Sequence, residues 1–321
     1  MNKKDFSNIK EHIVIFTNGL KIKKYKLCKD IPNVKYKVFT TYPTITANYN
    51  TEEIKKTLSN KLIKYFDTFI NTFPNNYLKI FYKNISSVKY QEGIDKQELF
   101  KSLLGLITSY GTTEGYYYGY TNTIYMISKK QKDLLVFLSN GENESYEDIM
   151  NNVLPHELFH LATYTTNDNI MFCGFYQNSG IYDIGNGINE GYTELLARRY
   201  FAKDSGYYDD EVIIAALVEE LVGKDKMEQL YFFADLKGLI TELSKYSNSN
   251  IVNRFIIDFD NYCQKPTNNL LENIFEFLMH THENKVLKDS SIINKDAIIK
   301  EYNERLLLYI KKNNQTKTIG K

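Results

Sequence analysis

The segment SYEDIMNNVLPHELFHLA, residues 145–162, carries the clearest structural signal in the chain. Ser145 followed by acidic residues is typical of a capped helix start, and apolar residues then recur at helical spacing as far as Leu161. Pro155 disturbs this pattern, because proline removes one backbone hydrogen bond and crowds the preceding turn. We therefore predict a helix that kinks or restarts just before His156.

Two histidines and a glutamate stand close together in this helix, in the order HELFH. His156 and His160 are four residues apart, so they lie about 40° apart around the helix axis and both imidazoles can bind one metal ion. Glu157 lies on the same side, where its carboxylate can act as a general base on water beside the metal. The spacing predicts a metal site with a base. A chance match is the minor alternative.

A catalytic zinc takes three protein ligands and one water, and Glu190 is the candidate third ligand. It lies in GINEGYTELL, residues 187–196, which follows a glycine-rich break and has the apolar spacing of a second helix. Gly191 would let this helix approach a neighbour closely. Glu194 projects from the same face as Glu190, so one carboxylate can bind the metal while the other orients a histidine. The alternative is an exposed face on which Glu194 pairs with Arg198.

Other sources of a third ligand are weaker. The metzincin arrangement would need glycine at Thr163 and histidine at Thr166, and neither is present. His280 and His282 lie more than a hundred residues downstream. They could fold back over the site, but we interpret them as surface histidines at a helix end.

The paired motifs HELFH and INEGYTE resemble the gluzincin branch of the zincin metallopeptidases, in which a thermolysin-like HExxH helix is completed by a glutamate from the next helix. The resemblance covers about Ser145 to Phe201. It implies hydrolysis of a peptide or protein substrate with Zn²⁺ as cofactor. The implied roles are Zn²⁺ ligation by His156, His160 and Glu190, general base catalysis by Glu157, and acceptance of a hydrogen bond, from His156, by Glu194. The linker between the motifs is longer than in that family, and Glu194 stands where aspartate is usual.

The residues between the two motifs offer candidates for stabilising an oxyanion. Residues 170–183 could form a short strand and turn beside a cleft, and Tyr176 and Tyr182 within them could donate hydrogen bonds to the oxyanion. A second tyrosine-rich run, residues 116–128, is interpreted as a strand with a structural role.

The elements around this segment predict an α+β fold. The resemblance implies a zincin-like form of it: an N-terminal mixed sheet with helices, an active-site helix, and a mainly helical C-terminal part. Before residue 145, a hairpin around Asn18-Gly19 joins predicted strands. The predicted strands are 13–16, 20–27, 38–41 and 78–82. The predicted helices are 51–73, 98–109, 211–222, 227–245, 251–262, 270–279 and 292–310.

We divide the chain into three parts on this basis. Residues 1–205 are predicted to form the zincin-like catalytic domain, and residues 206–310 a helical subdomain. Residues 311–321 are polar and charged and are predicted to be a disordered tail.

Composition limits the classes of partner and site. With 40 basic and 39 acidic side chains, the net charge of +1 gives no reason to expect nucleic acid or an anionic membrane as partner. No apolar stretch is long enough to span a bilayer and no signal peptide is recognised, so a cytoplasmic protein is expected. Cys28, Cys173 and Cys263 lie far apart without CxxC spacing, which supports neither a disulfide framework nor a thiolate zinc site and predicts core thiols.

Three hypotheses follow. The leading one is a zinc-dependent peptidase. The second is a zinc-stabilised binding or regulatory protein with little or no turnover, and the third is a helical structural protein in which the motif is fortuitous. Zinc content separates the third from the others, and the presence of Glu157 favours the first over the second.

Overall fold

The computed structural model describes residues 38–39, 49–108, 114–139, 145–201 and 208–288. Within these ranges the fold is α+β, with short sheets among many helices, as predicted. Several predicted elements lie wholly or partly outside the described residues: the strands 13–16, 20–27 and 38–41, the helix 292–310 and the tail 311–321.

In the part of the chain that the structure describes, three helices precede the first strand: α1 (Thr51–Thr57), α2 (Asn60–Thr72) and α3 (Lys79–Ile85). The predicted helix 51–73 is therefore two helices, because the backbone at Leu58 and Ser59 is extended. The strand predicted at 78–82 is wrong, since these residues lead into and form α3. A short apolar run fits a buried helix as well as a strand, and every residue of α3 except Lys79 and Lys83 is buried.

The first sheet has three described strands: β1 (Lys89–Glu92), β2 (Gly115–Tyr118) and β3 (Thr123–Met126). β3 lies in the middle, parallel to β1 and antiparallel to β2. The run 116–128 is thus a hairpin and not one strand, turned by a 3₁₀ segment and by Asn122 in the left-handed region. Helix α4 (Lys96–Thr108) confirms the helix predicted at 98–109, and α5 (Lys129–Ser139) follows β3.

Helix α6 (Tyr146–Thr163) carries the HELFH segment. The Ser145 hydroxyl accepts the backbone N–H of Asp148, so the predicted cap is present. Pro155 lies inside a helix that continues without a restart, and residues 153–159 are all buried. The surrounding core therefore holds the helix together through the missing hydrogen bond.

A second, antiparallel sheet separates α6 from the next helix. Its strands pair in sequence order: β4 (Thr165–Asn167), β5 (Ile170–Cys173), β6 (Tyr176–Asn178) and β7 (Asp183–Ile184). The strand and turn predicted at 170–183 are thus present. Helix α7 (Asn186–Phe201) follows at once and carries the second motif.

The remaining described chain is helical, as predicted. Its helices are α8 (Asp209–Val222), α9 (Lys224–Phe232), α10 (Leu236–Leu243), α11 (Ser249–Gln264) and α12 (Asn268–Lys288). The predicted helix 227–245 is divided into α9 and α10, with Ala234 in the left-handed region between them. One buried core contains residues of both the predicted catalytic domain and the predicted helical subdomain, and Phe159 of α6 packs against both Phe69 and Phe232.

Helices α7 and α8 approach each other at Gly191. A Cβ atom at that position would lie 2.2 Å from the backbone oxygen of Glu211, so only glycine fits there. The close approach predicted for Gly191 is therefore confirmed. Among the described helices, none has the length and apolar character needed to span a membrane.

Candidate metal centre

Side chains of α6 and α7 bring three metal-binding atoms together. His156 Nε2 lies 3.0 Å from His160 Nε2 and 3.2 Å from Glu190 Oε2, and the last two atoms are 3.4 Å apart. Atoms bound tetrahedrally to zinc at about 2.0–2.1 Å lie about 3.3–3.4 Å from one another. The three groups could therefore hold one metal ion, and their spacing and chemistry fit zinc.

The electrostatics of this cluster favour a bound cation. Burial lowers the pKa of His156, but hydrogen bonds to Glu190 and Glu194 outweigh it and raise that pKa to about 9. Burial opposes ionisation of Glu190, yet the charge of His160 and the bond to His156 hold its pKa well below the usual range. The two carboxylates therefore attract positive charge to the point where the imidazoles meet.

Glu194 supports His156 from behind. His156 Nδ1 lies 3.0 Å from Glu194 Oε2, and the Glu194 side chain is 1% exposed. Because a carboxylate only accepts, Nδ1 carries the proton and Nε2 presents its lone pair to the cluster. Arg198 Nε donates to the other Glu194 oxygen at 2.9 Å. The predicted pairing of Glu194 with Arg198 is therefore present, but the exposed helix face of that alternative is not, because Glu194 is buried.

His160 has a thiol beside its Nδ1, whereas His156 has a carboxylate in the same place. Cys173 Sγ of β5 lies 3.6 Å from His160 Nδ1 and donates to the His160 carbonyl at 3.4 Å. Cys173 and Cys263 are both free, so neither forms a disulfide, and Cys28 lies outside the described residues. Sulfur is a weak acceptor, so the hold on His160 is weaker than that on His156.

Glu157 lies beside the cluster but outside it. Its Oε2 accepts the backbone N–H of Tyr117 in β2 at 2.7 Å, which fixes the carboxylate against the edge of the first sheet. Burial raises its pKa, although the neighbouring imidazoles lower it. A carboxyl whose pKa is raised from the acidic range is better matched to proton transfer near neutral pH.

The cluster opens into a cleft with a cavity volume of about 1170 Å³. Of the two tyrosines proposed for the oxyanion, Tyr176 lines this cleft, whereas Tyr182 is 59% exposed and is not among its lining residues. The tyrosine-rich run is not purely structural, because Tyr116, Tyr117 and Tyr118 line the cleft as well. The sequence interpretation of that run was therefore incomplete.

Tyr208 was missed from the sequence. It lines the cleft, and its ring stacks on that of His156 with centroids 5.5 Å apart. Its φ of 62° is in the left-handed region, where non-glycine residues are uncommon and often belong to functional sites. The charge of Glu190 and then burial raise its pKa well above the ordinary value, so the hydroxyl keeps its proton. No sequence pattern around residue 208 indicates this position.

The downstream histidines take no part in the centre. Neither His280 nor His282 lines the cleft. The prediction of two surface histidines is wrong for His282, which is 4% exposed with Nε2 3.1 Å from the carbonyl oxygen of Leu217.

No protein-family model matches the chain, and no curated protein or solved structure matches it either. Inferences about function therefore depend on the residues of the centre and on their geometry.

Proposed function

We propose that the protein is a zinc-dependent metallopeptidase of gluzincin type on a zincin-like fold. The observation that carries this proposal is the meeting of His156, His160 and Glu190 at one point, with Glu157 held beside them at the floor of a large cleft. A metal site that serves only to stabilise a fold is usually closed by four protein ligands, whereas this group of three leaves a position open.

The donor set supports zinc as the metal. Two imidazoles and one carboxylate are the ligands of hydrolytic zinc sites, and the Arg198–Glu194–His156 series is the kind of outer support that such sites use. When bound, a zinc ion supplies a Lewis acid that polarises a carbonyl and acidifies water.

Glu157 performs the proton transfers in the proposed reaction. The N–H of Tyr117 holds one carboxylate oxygen and leaves the other to accept a proton from the attacking water. The same carboxyl group then delivers that proton to the departing amine nitrogen of the peptide. The raised pKa of Glu157 suits both steps, because it brings proton uptake and release closer to neutrality.

Tyrosine hydroxyls in the cleft are the proposed donors to the developing oxyanion. Tyr208 is the stronger candidate because its ring stacks on His156, and Tyr176 is the second because it also lines the cleft. A neutral phenol donates a hydrogen bond where negative charge forms. Tyr182 does not line the cleft, so we do not assign it this role.

The test is the Glu157→Gln variant, which keeps the shape of the side chain and removes the base. We expect its turnover of a mixed peptide library, followed by mass spectrometry, to fall by about 10²–10⁴-fold. Zinc content, measured by elemental analysis after purification without chelators, should stay stoichiometric. Glu220→Gln, on α8 and outside the cleft lining, is the matched control and should cleave like the wild type.

Two results would contradict the proposal in different ways. Equal cleavage by wild type and Glu157→Gln would remove Glu157 as the base. Stoichiometric zinc without cleavage of any peptide would favour the zinc-stabilised binding protein, and absence of zinc would leave only the structural interpretation.

A further inference from the structure

Glu211 is a buried carboxyl group to which the reaction gives no role. It lies in the first turn of α8, lines the cleft and is 8% exposed. No described residue forms an ion pair with its side chain. A buried carboxylate without a cation is costly, so this group is either neutral or awaits a positive partner.

The neighbours of Glu211 make that cost larger. Asp209, Asp210 and Glu190 all lie near enough to repel its negative charge, and burial together with this repulsion raises its pKa to about 7. The backbone of Glu211 is pressed against Gly191, the residue after the ligand Glu190. The backbone of Glu211 is therefore packed against the helix that carries Glu190.

The rest of the cleft has the same electrostatic character. Its described lining contains three further carboxylates away from the metal centre and no lysine or arginine. Two of these carboxylates have cations behind them, since Glu98 pairs with Lys101 and Glu114 with Lys132. No described residue lies within ion-pair distance of Asp95, which accepts a hydrogen bond from the hydroxyl of Tyr116 at 3.0 Å. An acidic substrate would meet only repulsion along this surface.

Aromatic faces add to this preference. Eight tyrosines line the cleft: Tyr116, Tyr117, Tyr118, Tyr120, Tyr125, Tyr164, Tyr176 and Tyr208. The face of an aromatic ring attracts a cation within about 6 Å of its centre. Tyr208 stands three residues before Glu211, so an aromatic face and an unpaired carboxyl group are presented from the same helix start.

The charge of the metal centre does not cancel this effect. In the wild-type protein, the carboxylates of Glu190 and Glu157 would together balance the two positive charges of a bound divalent ion, and Glu194 is paired with Arg198. The negative charge of Glu211 is thus left for whatever occupies the cleft.

We propose that Glu211 anchors a cationic nitrogen of the substrate, so that the cleft selects peptides carrying a positive charge near the cleaved bond. The nitrogen belongs either to the free N-terminus of the peptide or to a lysine or arginine side chain. This inference rests on the proposed function, because it takes a peptide as the occupant of the cleft.

The experiment measures binding, not cleavage, so that it stands apart from the test of the peptidase. Full-length zinc-loaded protein carrying Glu157→Gln is titrated into labelled peptides and followed by fluorescence anisotropy. The peptides share one neutral sequence in three versions: a free N-terminus, an acetylated N-terminus with one internal lysine, and an acetylated N-terminus with norleucine in place of that lysine. The position of the lysine is moved along the peptide in a small set.

At least one cationic version should bind more tightly than the norleucine version by about tenfold or more, since a buried charge pair outweighs an exposed one. The version that gains identifies the source of the nitrogen. Adding Glu211→Gln should remove the preference while leaving binding of the norleucine peptide unchanged. Glu220→Gln, on the same helix but outside the cleft, should keep the preference.

Equal binding of all three versions would overturn the proposal, and so would a Glu211→Gln variant that loses affinity equally for each of them. Thermal unfolding of Glu211→Gln confirms that the comparison is made on folded protein. A protein that shows the charge preference but cleaves nothing would refute the peptidase and leave the cationic site in place.

Discussion

Two buried histidines in different parts of the molecule have pKa values that are shifted in opposite directions. His156, on α6, has two carboxylates as partners, and its pKa is raised to about 9. His282, on α12, has one backbone carbonyl oxygen as partner, and burial lowers its pKa to about 3. Burial lowers the pKa of both imidazoles, but at His156 the two carboxylates outweigh this effect. The partner decides the outcome, and negative charge is concentrated where a metal ion can use it.

Removing the carboxylate behind His156 should have the largest effect. In Glu194→Ala, the Nδ1 of His156 loses its acceptor, and Arg198 keeps only its ion pair with Asp209 among the described residues. The imidazole is then no longer held in the orientation that ligates. We expect zinc affinity, measured by competition with a chromophoric chelator, to fall by about 10–100-fold. The zinc affinity of Glu194→Gln should lie between those of the wild type and Glu194→Ala, because the amide oxygen of the glutamine can still accept a hydrogen bond from His156 Nδ1. Unchanged affinity in Glu194→Ala would show that the supporting carboxylate is irrelevant to the metal.

His282 should make stability depend on pH without any effect on zinc. The unfolded histidine has a pKa of about 6.5, and the folded one about 3, so the unfolded state binds more protons between these values. The stability contributed by neutral His282 is complete above pH 6.5 and is lost as the pH falls toward 3. The loss is about 1.4 kcal/mol per pH unit at most.

Urea unfolding at pH 7.5, 6 and 5 measures this slope. Glu or Lys at position 282 would bury a new charge, so His282→Gln is the variant of choice, since its amide can still donate to Leu217. It should show a flatter dependence on pH than the wild type. His280→Gln, on the same helix and less buried, serves as the control. Identical slopes for wild type and His282→Gln would mean that other groups cause the acid sensitivity.

Removing the Cys173 thiol behind His160 should have the smallest effect on zinc affinity. Because sulfur is a weak acceptor at 3.6 Å, Cys173→Ala is expected to weaken zinc binding by less than about tenfold. The same chelator competition measures it beside Glu194→Ala. A larger loss in Cys173→Ala than in Glu194→Ala would reverse the ranking of the two supports.

The metal centre could be foreseen because its parts lie on helices with strong local signals. The four-residue spacing of His156 and His160 brings them together on any helix, and the carboxylates of Glu190 and Glu194 follow the same rule. The helical periodicity of residues 98–109 was equally informative. The packing of α6 on α7 decides which carboxylate lies with the two imidazole Nε2 atoms and which lies behind His156, and the resemblance to gluzincins supplied that assignment.

The elements that were mistaken lacked a decisive local signal. Residues 78–82 contain one lysine among apolar residues, and α3 is mostly buried, so no periodicity in so short a run distinguished helix from strand. The run 116–128 conceals its turn, since Asn122 takes a left-handed conformation without a neighbouring glycine or proline on its C-terminal side. His282 looked exposed because its packing partner, Leu217, lies on another helix.

The positions of Tyr208 and Glu211 in the cleft could not be predicted from the sequence, for a related reason. They enter the cleft only because α8 packs across α7, and that packing is settled by contacts between residues distant in sequence. The glycine at position 191 signalled that some helix would come close, but not which one or with which side chains.

The contact at Gly191 fixes how far apart two parts of the cleft lie. The residue joins Glu190 to a helix whose first turn holds Glu211, and the backbones touch with no side chain to yield between them. The distance between the candidate metal site and the Glu211 backbone is therefore held constant by this helix contact. If the anchor holds a cationic nitrogen, the products of digestion will share one spacing between that nitrogen and the cut bond, whatever the sequence between them.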